Sequence, residues 1–257
     1  MHWTVPRIWE GGECWIIGGG PSIPEQFGVP DDVIEDVIAQ RSTPSVYSPY
    51  MSAIHDRHVI GVNAAYLIGD WIDIIFFGDN RFFLAHREGL SKHPGLKVSC
   101  NSRTHSCCRD VHYLPHDRGH PRGISTEPRF VSWNANSGAA AISMAVHLGV
   151  RRIVLLGFDM RTGTYGQHWH NAYRGMRVRR THGKGKGQIV VPRKLPFDRH
   201  LRGFPIIARD AKRLGVEIVN ASPDSAIKEF PKCTVQEILQ KDNELLMQNC
   251  EKGQKKT

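Results

Sequence analysis

The sequence predicts an α/β protein: a mostly parallel sheet with helices on both faces, folded as one domain. Three observations carry this. Short unbroken apolar runs such as CWII and IVLL recur along the chain, as strands buried on both faces require. Helical patterns lie between these runs, so the connections are helical crossovers of right-handed sense. The order helix, glycine, strand also occurs twice, in SGAAAISMAVHLGVRRIVLLGFDM and in FPIIARDAKRLGVEIVNAS. With 257 residues, the chain can bury a large core without disulfides or structural metals.

Element by element, CWIIGGG (14–20) is a first strand that runs into three glycines. Val33, Ile34, Val37 and Ile38 recur at helical spacing and predict a short helix. STPSVYSPYMSAIHD is irregular. HVIGVNAAYLI starts as the second strand and turns at Asn63, and DWIDIIFFGDNRFF gives a third that ends at Gly78 and Asp79. LKVSCNS and VHYLPH are the fourth and fifth. SGAAAISMAVHLGV is a helix with Asn136 or Ser137 at its N-cap and Gly149 as its stop. The strand RRIVLLGFDM follows it, then the helix FPIIARDAKRLG and the strand VEIVNAS. The domain is expected to span 1–239, with 240–257 as a polar tail that is either a frayed helix or disordered.

Composition narrows the partners. No apolar run reaches the length of a membrane span, and MHWTVPRIWEGGE has no basic-then-apolar signal, so a cytosolic protein without a membrane partner is expected. Six scattered cysteines without a C-x-x-C pair read as free thiols. Cys107 and Cys108 with His105 and His112 form the less favoured alternative, a zinc set. The formal charge of +9 points to an anionic partner. Residues 174–202 hold ten Lys or Arg and one acid, and Arg174, Arg177, Arg179, Arg180, Lys184 and Lys186 become candidate contacts to nucleotide or nucleic-acid phosphate. A solvated loop without a partner is the competing reading.

In a parallel sheet the functional groups gather beyond the carboxyl ends of the strands. Four strand ends carry suitable residues: Gly18, Gly19, Gly20, Pro21 and Ser22; Asn63; Asp79; and Asp159. The glycine run has neither GxGxxG nor P-loop spacing, yet glycine amides can close on a phosphate and Ser22 can add a hydroxyl. A tight structural turn is the alternative. Asn63 can read a base or ribose, or cap a helix. Asp79 can hold a ribose hydroxyl or a divalent metal, or cap a helix. Asn136, Ser137 and Gly138 open a helix whose N-terminus suits an anion. In GQHWHNAY, His168 and His170 can supply a general base and a donor to a phosphate oxygen, or ligate a metal with Asp79 or Asp159.

Together, IIGGGPSI, IGVNAAY, FFGDNRFF and NSGAAAISMAVHLGVRRIVLLGFDM resemble a superfamily of Rossmann-like transferases. It includes the glycosyltransferase family 42 sialyltransferases, archaeal-type 6-hydroxymethylpterin diphosphokinases, and phage and prophage proteins. The resemblance covers about Cys14 to Phe230. It implies that Gly18 to Ser22, Asn63, Ser137 and Gly138 bind a nucleotide donor. The chain departs from the sialyltransferases at Gly78-Asp79, where they place an asparagine, and at Met160-Arg161, where they place tyrosines. Their base is a histidine in the loop before the penultimate helix, a loop that here holds His182 and His200, while His168 and His170 sit nearer the strand.

The expected function is therefore a glycosyltransferase-like enzyme with a nucleotide-activated sugar as co-substrate. His168 or His170, with Asp159, would be catalytic, and the acceptor could be a modified base of phage DNA. A pterin-type pyrophosphokinase using ATP and Mg²⁺ on Asp79 and Asp159, and a non-catalytic nucleic-acid-binding protein, are the alternatives.

Overall fold

The computed structural model describes residues 3–173, 180–182, 189–191 and 195–254. Seven parallel strands form one sheet: β1 (Glu13–Ile17), β2 (Val59–Val62), β3 (Ile74–Phe77), β4 (Leu96–Ser99), β5 (Val111–Tyr113), β6 (Arg152–Leu156) and β9 (Glu217–Asn220). Their order is β5-β4-β3-β2-β1-β6-β9. The chain winds outward from β1 to β5, then returns through helix α5 (Ser137–His147) to place β6 against the free side of β1. This reversal opens a crevice at the carboxyl ends of β1 and β6. A separate antiparallel pair, β7 (Arg180–His182) and β8 (Ile189–Val191), lies within the basic stretch.

Alternation along the strands divides the core into two layers. Cys14, Ile16, Ile60, Ile74, Phe76, Ile153 and Leu155 face one side, against the alanine-rich α5 and against Phe204, Ile207 and Ala211 of α7 (Phe204–Leu214). Trp15, Ile17, Val59, Ile75, Phe77, Val154 and Leu156 face the other. There they meet α2 (Asp31–Ile38), a 3₁₀ segment (Pro44–Ile54) and α3 (Asn80–Lys92). α8 (Val235–Gln254) also packs there through Val235 and Ile238. Helices on both faces explain why the strands read as continuous apolar runs.

Local signals set the boundaries. Asn136 caps α5, its Oδ1 accepting from the amides of Gly138 (2.9 Å) and Ala139 (3.4 Å). Gly215 ends α7 in the left-handed conformation, which a glycine adopts without steric cost. Thr234 and Glu237 form a reciprocal cap at the start of α8, each side chain accepting from the other residue's amide. Farther along this helix Asp242 binds Arg152 (2.8 Å), which also binds Glu13 (2.7 Å). The polar segment after residue 239 thus continues the helix begun at Val235. No helix among the described residues is long and apolar enough to cross a membrane.

The β1 and β6 ends meet closely. A Cβ on Gly20 would lie 1.9 Å from Asp159 Oδ2 and 2.6 Å from the Gly157 carbonyl oxygen. Gly20→Ala is therefore expected to cost about 1–3 kcal/mol, lowering the melting temperature by roughly 2–4 °C for each kcal/mol in a chain of this size. Thermal unfolding of the variant checks this, and an unchanged midpoint would refute the close packing.

Candidate functional site

The turn after β1 is held by the fold itself. The amides of Gly18 and Gly20 donate to the carbonyls of Leu156 (2.7 Å) and Gly157 (2.8 Å), and the Ser22 amide donates to Asp159 Oδ2 (3.3 Å). The Ser22 hydroxyl pairs with that of Ser222 at 3.1 Å. These three amides are already engaged, so the glycines serve first to let β1 and β6 close up. Asp159 is buried directly beneath the turn.

Residues 168–173 run across the open side of the turn. Trp169, fully buried, donates from Nε1 to the Gly18 carbonyl (2.9 Å), and His168 Nδ1 donates to the Gly19 carbonyl (2.8 Å). A carbonyl can only accept, so His168 carries a proton on Nδ1, and in the neutral ring the lone pair falls on Nε2. His170 has the opposite tautomer. Its Nδ1 accepts from the Ala172 amide (3.1 Å), which places the proton of the neutral ring on Nε2. The two imidazoles stack at 5.3 Å, and Tyr173 meets both edge-on at 5.0 and 4.8 Å.

Asn63 leaves β2 with φ +53°, a left-handed conformation that asparagine tolerates. Its side chain lies by the Tyr173 hydroxyl, which brings the β2 end to the histidine pair. Phe158 wedges between the glycine turn and the start of α5, in contact range of the positions a Cβ would take on Gly18 (3.1 Å) and Gly138 (2.8 Å). Asp79 caps α3, its Oδ1 accepting from the Arg81 amide (2.8 Å).

Several buried polar groups around this crevice lack a partner. Among the described residues seven side-chain nitrogen or oxygen atoms are buried without a partner, and four belong here: Asn63 Oδ1, Asn136 Nδ2, Asp159 Oδ1 and His170 Nε2. Each such group costs about 1–3 kcal/mol while unpaired, and two acceptors with two donors gathered around one crevice make it the candidate site. His170 Nε2 lies 3.9 Å from the point a Gly19 Cβ would occupy, so this donor addresses the space over the turn.

No protein-family model matches the chain, and no curated protein does. Solved structures do. The MAf glycosyltransferase from Magnetospirillum magneticum AMB-1 aligns over 92% of this chain with a TM-score of 0.52 and 17% identity. The two share a fold, a Rossmann-like parallel sheet with helices on both faces. The chain spans only 36% of that protein's length. The sialyltransferase CstII from Campylobacter jejuni, in complex with cytidine-5'-monophosphate, aligns over 91% of this chain and 86% of its own, with 13% identity and a TM-score of 0.43. A second CstII structure, in complex with CMP-3FNeuAc, covers 86% of both chains at 12% identity and 0.44.

The residues expected from the sequence fall into three groups. Gly18, Gly19, Gly20, Pro21, Ser22, Asp159, His168 and His170 lie together at the β1 and β6 ends, and Asn63, Asn136, Ser137 and Gly138 flank them through Tyr173 and Phe158. Asp79 stands farther along the sheet, at the end of β3. Among the described residues no three His, Cys, Asp or Glu side chains converge to hold a metal ion. Arg174, Arg177, Arg179, Lys184 and Lys186 lie outside the described residues, as does the side chain of Arg180. Sequence reasoning passed over Tyr173 and Phe158. Both lie inside motifs quoted above, GQHWHNAY and RRIVLLGFDM, but only their long-range contacts reveal their placement.

Burial dominates the electrostatics. Desolvation, then the nearby His168 and His86 rings, holds His170 well below the ordinary histidine range. Desolvation raises the Asp159 carboxyl against the lowering effect of its Ser22 hydrogen bonds, and it raises the Tyr173 phenol. His170 is thus a neutral donor near neutral pH. An unfolded chain binds a proton at this imidazole below about pH 6.5, where the folded chain does not, so His170's contribution to stability is complete above that value and lost as pH falls below it. Asp159 acts in the opposite sense, gaining as pH falls through its raised value. The melting temperature of His170→Gln should therefore depend less steeply on pH between 7 and 5 than that of the wild type; parallel curves would contradict the buried, neutral assignment.

Proposed function

We propose that the protein is a glycosyltransferase-like enzyme that moves a sugar from a nucleotide-activated donor to an acceptor hydroxyl. The observation that carries this reading is the stacked pair His168 and His170 over the glycine turn, His168 bound through Nδ1 to the Gly19 carbonyl and His170 holding the proton of its neutral ring on Nε2. The fold shared with a glycosyltransferase supports it.

In the proposed reaction the donor lies across the ends of β1, β2 and β6, with Asn63 and Asn136 supplying the amide contacts. His168 Nε2 takes the proton of the acceptor hydroxyl, whose oxygen bonds to the anomeric carbon as the bond from that carbon to the phosphate oxygen breaks. His170 Nε2–H donates to the leaving phosphate, and the basic stretch 174–202 adds positive charge. Asp159 positions the turn. A polyanionic acceptor such as DNA, modified with a hydroxyl and presented as a flipped base, fits the charge of that stretch. The two-carboxylate metal site of a pyrophosphokinase finds less support, because Asp79 is occupied as a helix cap and Asp159 lies under the turn.

Melting the protein with CMP, UDP, GDP, ADP and ATP, each with and without Mg²⁺, tests the donor, since a ligand that binds only the folded state raises the midpoint. Stabilisation by CMP, UDP or GDP without Mg²⁺ is expected; stabilisation by ATP with Mg²⁺ alone would favour the pyrophosphokinase instead. With the matching sugar nucleotide, His168→Gln should lower kcat by about 10²–10⁴-fold while donor binding is kept. An unchanged kcat would remove His168 as the base.

A further inference from the structure

A second depression lies beside the crevice, over the carboxyl ends of β3, β4 and β5. It is a cavity of about 1050 Å³ whose lining includes Arg81, Arg103, Arg118, Asp79, Asp117 and His116. Strand order places it next to the end of β2, with Asp79 at the junction. The sequence reading stopped at four strand ends and did not extend to those of β4 and β5.

The lining has a clear charge preference. Its two carboxylates are used locally: Asp79 accepts from the Arg81 amide, and Asp117 accepts from the amides of Gly119 and His120 (both 2.9 Å) and from the Ser125 hydroxyl (2.7 Å). The three arginines are exposed and form no ion pair among the described residues. Planar guanidinium forks suit phosphate oxygens. The cavity also offers rings. His116 stacks on Trp133 at 4.7 Å with 21° between planes, yet the residue is exposed, so its other face can receive a flat ligand; Tyr113 and Phe130 add aromatic wall. Partial desolvation against Trp133 and the cavity wall holds His116 below the ordinary histidine range, which favours the neutral ring. Pockets for small ligands span about 300–1000 Å³, so one nucleotide fits with room beside it.

We propose that this cavity is the acceptor pocket and takes a single nucleotide unit, its phosphates against Arg81, Arg103 and Arg118 and its base against His116. The role as acceptor rests on the glycosyltransferase reading; the binding of a nucleotide here does not.

Calorimetric titration of the full chain with thymidine 3′,5′-bisphosphate, thymidine and glucose 6-phosphate tests the pocket. The bisphosphate should bind and weaken with added salt, while thymidine and glucose 6-phosphate bind at least tenfold more weakly. Arg103→Ala with Arg118→Ala should reduce bisphosphate affinity at least tenfold without shifting the melting temperature, and His170→Gln should leave it unchanged. Three results would overturn the proposal: no bisphosphate binding, affinity kept in the arginine double variant, or glucose 6-phosphate binding as tightly. Loss in His170→Gln but not in the arginine variant would place the ligand in the crevice, sinking the pocket while leaving the donor reading intact. Bisphosphate binding that depends on the arginines, in a protein whose crevice answers to no donor nucleotide, would keep the pocket and sink the donor reading.

Discussion

The structure depends on the parallel pairing of β1 with β6. These strands are distant in the chain, yet they lie in register from Glu13 opposite Arg152 to Ile17 opposite Leu156. Beyond that register the two backbones stay so close that the Gly20 amide reaches the Gly157 carbonyl and Asp159 slides beneath Gly20. Side chains larger than hydrogen at these positions would force the strand ends apart. The crevice, the position of Phe158 and the path of residues 168–173 all follow from that closeness.

The same packing sorts backbone groups by use. Carbonyls of the turn are claimed by Trp169 and His168, and three of its amides by the strand ends and Asp159. The turn is therefore held by the protein's own hydrogen bonds, and the groups left unpaired around it belong to side chains. That division lets buried amides and an imidazole remain unpaired without loosening the backbone, a local departure from full satisfaction that the two-layered core can tolerate.

Much of the architecture was legible in the sequence because burial on both faces writes strands as plain apolar runs, and because glycine stops and an asparagine cap mark α5 and α7. The candidate site was legible as a place: most of the residues named for it stand where strands end, and Asn136, Ser137 and Gly138 open α5. Its chemistry was less so. The proton positions on His168 and His170 follow from carbonyl and amide partners, and for His168 that partner is 149 residues away. The glycine run reads in the sequence as amides for a phosphate; in the structure the amides of Gly18, Gly20 and Ser22 are engaged, and the run also admits the close approach of β6. Helix in the polar C-terminal segment was ambiguous from composition, because its anchor is Asp242 meeting Arg152 across 90 residues.

That anchor sets a direction. The chain leading into α8 is held at the end of β9, where Cys233 donates to the Asn220 carbonyl, while Asp242 meets Arg152 and Glu13 lies beside it, at the starts of β6 and β1. The helix therefore runs the depth of the sheet, from the end that bears the crevice to the opposite end. Twenty helical residues span about 30 Å, whereas a five-residue strand spans about 17 Å, so the helix outruns the strands it lies along. Its last turns therefore lie at the end of the sheet opposite the crevice and the neighbouring cavity.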